Sequence, residues 1–110
     1  MQENDKPVII YSTFPNPEAA ATVGNELVEA RLAACVNIIP GVTSIYRWEG
    51  RITQDNEAVM IIKTRESLAE AAIAATRRRH PYINPALLVI ALDGGSADYL
   101  DWLMQETTPA

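Results

Sequence analysis

The chain has 110 residues, enough for one hydrophobic core and too few for two, so a single domain over 1–110 is expected, with its core at about 8–105. Hydrophobic residues make up 48% and charged residues 21%, and the net charge of −5 weighs against nucleic-acid backbones and anionic membranes as partners. A lone Cys35 rules out an intrachain disulfide, and the polar start Met1–Pro7 lacks the apolar core of a signal peptide, so a cytoplasmic setting is expected.

Val8–Thr13 is a short β-rich run that stops at Phe14-Pro15-Asn16-Pro17. Asn16 suits a helix cap, Pro17 the first helical position, and Glu18 the positive end of the dipole. Ala20, Val23, Gly24, Leu27 and Val28 then recur at the spacing of one helical face. Cys35–Ile39 opens a second apolar run, interrupted by Pro40-Gly41 and resumed over Val42–Trp48. Proline and glycine inside a strand predict a bulge or an edge position. Glu49-Gly50 is the turn, Arg51-Ile52 begins the return, and from Glu57 the pattern alternates regularly. The two arms form one hairpin, longer than the usual five or six residues per strand. Arms that outgrow a small domain need something to pack against.

Thr64–Arg79 reads as a second helix, with Ser67 and Glu70 as a capping box or Thr64 as the cap. Leu68, Ala71, Ala72 and Ala75 form its small-residue stripe, and His80-Pro81 ends it. A last strand follows over Leu87–Leu92. Gly94-Gly95 is a turn, Ser96 a cap, and Ala97–Gln105 a closing helix with Tyr99, Leu100 and Leu103 on its buried face. The order β-α-β-β-α-β is the ferredoxin-like α+β arrangement, an antiparallel sheet with two helices on one face. An RNA-recognition module shares that order but needs exposed aromatics in a basic context, which the acidic chain and the aromatic-free Glu57–Lys63 do not supply.

The ordered pieces Leu32–Asn37, Ile39-Pro40-Gly41, Ser44–Gly50, Ile62-Lys63-Thr64, His80-Pro81-Tyr82 and Asp98–Leu103 resemble the CutA family, the divalent-cation tolerance proteins. The resemblance runs from about Val8 to Leu103. It implies a PII-like homotrimer whose long hairpins pair between neighbours, and a link to copper and other divalent cations. Copper sites proposed in related proteins use a first-strand cysteine and a His-His pair before Pro-Tyr. Here those positions read Ser12, Arg79 and His80, so only His80 carries over as a metal ligand. A serine hydroxyl ligates copper poorly and a guanidinium repels cations.

Tyr46, Trp48 and Tyr82 are amphipathic aromatics suited to an interface or a pocket rim. Glu57 and Lys63, six apart on a strand, share a face and suit a subunit junction or a ligand cleft. Arg79, in the basic run Arg77–Arg79, suits the helix dipole or a small anionic ligand. Cys35 between Ala34 and Val36 reads as an inert small hydrophobe. One histidine, one cysteine and no suggestive carboxylate pair leave no nucleophile–base set, so no enzymatic activity is expected. The alternative to a metal role is a PII-like regulator that takes a small molecule in its subunit clefts. No membrane partner is expected.

Overall fold

A computed structural model describes residues 5–109. The elements run β1 (Pro7–Phe14), α1 (Pro17–Glu29), β2 (Cys35–Trp48), β3 (Arg51–Arg65), a 3-10 turn (Glu66–Leu68), α2 (Ala69–Arg79), β4 (Leu88–Ala91) and α3 (Ala97–Glu106). The strands form one antiparallel sheet in the order β2-β3-β1-β4, the ferredoxin-like topology.

Alternation divides the sheet into two unlike faces. Val8, Ile10, Ser12 and Phe14 of β1 pair with Thr64, Ile62, Met60 and Ala58 of β3, and all eight are buried. Against that face pack Ala20, Val23 and Leu27 of α1 and Ala69 and Ala72 of α2. A fully buried side chain the size of Ile10 or Leu27 contributes about 1.5–3 kcal/mol, so this layer carries the core. Gly24 sets how near α1 comes to the sheet: a Cβ there would lie 2.7 Å from Val36 Cγ2 and 3.3 Å from Met60 Sδ. Asn16 caps α1 as expected, its Oδ1 accepting from the Ala19 N–H at 2.8 Å.

The opposite face meets α3. Lys63 Nζ donates to the Tyr99 hydroxyl at 3.2 Å, and Arg65 Nε donates to Thr107 Oγ1 at 2.9 Å. Leu103 of α3 is buried against the sheet, whereas Tyr99 stays exposed. This helix covers only the β1–β3 end, so Ile39, Leu88 and Ile90 remain exposed.

Three local expectations are corrected. Thr64 and Arg65 are still strand, because Thr64 pairs with Val8 and Pro7 with Arg65; α2 therefore begins at Ala69, not Thr64. Ser67 caps nothing through Glu70: its N–H and hydroxyl both donate to Asp5, a residue brought in from the other end of the chain. The buried stripe of α2 is Ala69, Ala72 and Thr76 rather than one through Ala71, which is exposed, and Val28 at the edge of α1 is exposed as well.

The β2–β3 hairpin closes through Glu49 and Gly50 at φ of 50° and 80°, the double positive φ of a two-residue turn that matches strand twist. Between Ile39 and Val42 the register shifts: Ile39 pairs with Val59 but Val42 with Glu57, so β2 carries one extra residue at Pro40-Gly41. Gly41 adopts φ +73° there. A one-residue slip moves every following side chain to the other face. Past the bulge, Val42, Ser44, Tyr46 and Trp48 therefore share a face with Asp55 and Glu57. Ile45 and Ile52 point the other way and are 67% and 64% exposed. The hairpin draws the molecule out to 46 Å along its long axis against 26 and 21 Å across.

Candidate functional site

The bulge brings the even-numbered residues of outer β2 beside the acidic positions of β3, and the α2–β4 connection folds over them. Thr13, Ser44, Tyr46, Trp48, Glu57 and Tyr82 line a cavity of about 620 Å³, with Ile83, Asn84 and Ala86 at its margin. Such a volume holds a small molecule.

Glu57 lies at its base, 9% exposed. The Tyr82 hydroxyl donates to Glu57 Oε2 at 2.6 Å. Among the described residues no Lys, Arg or His forms an ion pair with Glu57 or Asp55. The Tyr46 hydroxyl donates to Asp55 Oδ2. Both phenols titrate above their ordinary range. For Tyr82 the main cause is burial, followed by the hydrogen bond to Glu57; for Tyr46 it is the hydrogen bond to Asp55. The site holds negative charge between aromatic walls.

Four of the sequence candidates thus meet here: Tyr46, Trp48, Glu57 and Tyr82. Lys63 is engaged by Tyr99 at the α3 end of β3, its ammonium 5.3 Å from that ring centre. Arg79 pairs with Glu26 of α1 at 3.4 Å, in solvent. Neither reaches the cavity, so the two cations suited to an anionic ligand are apart from each other and from this site. Asp55 was not singled out from the sequence, although its place two residues before Glu57 on a strand puts both carboxylates on one face.

His80 stands just behind the cavity. Its ring stacks on Phe14 with centroids 4.1 Å apart. Its Nδ1 accepts from the Tyr82 N–H at 3.1 Å, so Nε2 carries the proton and donates to the Thr13 carbonyl at 2.9 Å. Both nitrogens are committed within the subunit, and ligation of a metal would break one of these bonds. Ser12 faces the helix layer, fully buried, and its hydroxyl finds no partner. Cys35 is half-buried and unpaired, opposite Lys63. Among the described residues no group of three or more His, Cys, Asp or Glu could hold a metal ion.

Comparison with known proteins gives the family. A family model described as CutA1 divalent ion tolerance protein matches residues 8–106. The chain is 44% identical to the divalent-cation tolerance protein CutA of Pectobacterium atrosepticum, covering 87% of each. It is 43% identical to the chloroplastic protein CutA of Arabidopsis thaliana over 97% of its own length, but spans only 60% of that relative. The crystal structure of CutA1 from Oryza sativa superposes with a TM-score of 0.91 at 39% identity, covering 96% of each chain.

Proposed function

We propose, from the premise that the chain belongs to the CutA1 divalent ion tolerance family, that it serves the divalent-cation response as a non-enzymatic homotrimer. The observation that carries this is the outer hairpin. Beyond the bulge neither helix layer reaches it, yet Ile45 and Ile52 on one face and Trp48 on the other are more than half exposed. Ile39, Leu88 and Ile90 are exposed as well, and exposed apolar groups gathered on one face mark interaction surfaces. Copies of the chain, hairpin against hairpin, would cover it. A closed ring leaves no such surface unused, as an isologous dimer also would, and the family resemblance is what favours three. The test is sedimentation equilibrium: a species of three times 12.1 kDa is expected, and a monomer or dimer at micromolar concentration overturns the assembly.

Cys35, unpaired and half-buried, supports a reducing, cytoplasmic setting, and no helix among the described residues is long and apolar enough to cross a membrane. A copper role through His80 would require the ring to leave its two hydrogen bonds. Calorimetric titration with Cu²⁺ and Zn²⁺ beside His80→Ala decides it: binding lost in the variant supports ligation by His80, and binding unchanged removes it. A second reading, a small-molecule regulator of the PII-like kind, is favoured by the cavity at Glu57.

A further inference from the structure

We infer that Asp93-Gly94, in the loop between β4 and α3, is a site of spontaneous isoaspartate formation, a covalent rearrangement of the main chain. It is the one place in the sequence where an aspartate or asparagine precedes glycine. The structure leaves that pair free to react. Residues 92–96 belong to neither strand nor helix, and Asp93, Gly94, Gly95 and Ser96 are all exposed. The backbone hydrogen bonds of the loop lie at its two ends: the Leu92 N–H donates to the Pro7 carbonyl at 3.3 Å, and the Ser96 carbonyl accepts from the Leu100 N–H at 3.0 Å. Among the described residues, the Gly94 N–H and the Asp93 carboxylate have no protein partner. A Cβ on Gly94 would meet nothing within 4 Å, so no neighbouring group stands between the Asp93 side chain and the Gly94 nitrogen. Glycine also gives the backbone the freedom that the approach needs.

In the step itself the Gly94 nitrogen attacks Asp93 Cγ, and the carboxylic hydroxyl leaves as water with the amide proton. The cyclic imide holds Gly94 N with Asp93 C, Cα, Cβ and Cγ. Water then opens it at either carbonyl. Attack at Cγ restores aspartate; attack at the main-chain carbonyl leaves Gly94 joined through Cγ and frees the former main-chain carbonyl as a carboxylate. One water is lost and one regained, nothing is oxidised, and the main chain gains a methylene. Other positions lack a condition for this. Asp55 is held in β3, and Asp98 and Asp101 are held in α3. Asn16 and Asn84 precede proline, whose nitrogen carries no hydrogen. Covering of the β4 edge by a neighbouring copy does not block the step, since both reacting groups belong to adjacent residues of one chain and only water has to reach the ring.

The test is ageing of the full chain at physiological temperature and mildly acidic pH, followed by proteolysis and electron-transfer fragmentation. That fragmentation breaks the isoaspartyl Cα–Cβ bond and so reports the linkage at each aspartate. A synthetic peptide of residues 91–98, aged beside the protein, serves as the clock. Isoaspartate is expected at Asp93 and not at Asp55, Asp98 or Asp101, at a rate within about tenfold of the peptide's. A transient form of the same peptide fragment, lighter by one water, marks the imide. Gly94→Ala, which the open surroundings accommodate, should slow the reaction about tenfold. Asp93→Glu, whose longer side chain would have to close a larger ring, should show none. Unaltered Asp93 in the protein once the peptide has fully reacted, an equal rate in Gly94→Ala, or equal isomerisation at Asp98 would each overturn the inference. None of these readouts depends on the oligomeric state or on a metal, so the inference stands or falls apart from the proposed function.

Discussion

His80 shows how a residue's role can lie in its partners rather than in its type. As the only histidine, before Pro-Tyr, it suggested a metal ligand; in the fold its ring stacks on Phe14, donates to the Thr13 carbonyl and accepts from the Tyr82 N–H, bonds that any ligation would have to break. Burial holds its pKa below the ordinary value of 6.5, outweighing the Thr13 carbonyl and Glu57, which pull the other way. The unfolded chain therefore takes up the proton more readily than the native one. Stability from this site is complete above about pH 6.5 and is lost as the pH falls, at no more than about 1.4 kcal/mol per pH unit. Thermal unfolding between pH 8 and 5 should show that loss, and His80→Gln should start lower at pH 8 and lose less on acidification. An unchanged slope in the variant would assign the acid sensitivity elsewhere. The sequence could not display this role, because Thr13 lies 67 positions away. Asn16 was legible because its partner is three residues on.

Among the elements, the bulge in β2 does most to create the site, and its signal was local: Pro40-Gly41 inside an apolar run. Gly41 takes a φ of +73°, and a Cβ there would meet nothing within 4 Å, so its backbone, not crowding, demands glycine. Gly41→Ala should cost about 1–2 kcal/mol in urea unfolding, whereas Gly94→Ala, equally uncrowded and without a positive φ, should stay within about 0.5 kcal/mol. Equal effects at the two positions would show that conformation at Gly41 is not what matters. The junction of β3 and α2 was less legible. Composition favours a helix from Thr64 onward, but Val8 and Pro7 of β1 hold Thr64 and Arg65 in the ladder, and tertiary pairing overrides local propensity there.

For the whole molecule, Arg65 is the tie. Its guanidinium, 6% exposed, meets Asp5 at 3.4 Å and donates to Thr107 at 2.9 Å, to Thr108 at 2.8 Å and to the Met104 carbonyl. One side chain thereby fastens the entry to β1, the end of β3 and the end of α3. Arg65→Met should cost about 3–5 kcal/mol, since it leaves Asp5 buried without its counter-charge. Hydrogen exchange should quicken first in α3; if α3 and the β1–β3 ladder open together, the tie is not local. Arg65 read as an ordinary helical residue in the sequence, because its partners lie at both extremes of the chain. The strand order also acts in time. β1 leaves the ribosome first, yet it sits between β3 and β4, and neither exists until Arg51–Arg65 and then Leu88–Ala91 have been made. At about 5–20 residues per second, this central strand waits roughly 3–10 s for its first neighbour. The birth of this protein is therefore when it is most exposed to capture by chaperones or by another nascent copy of itself.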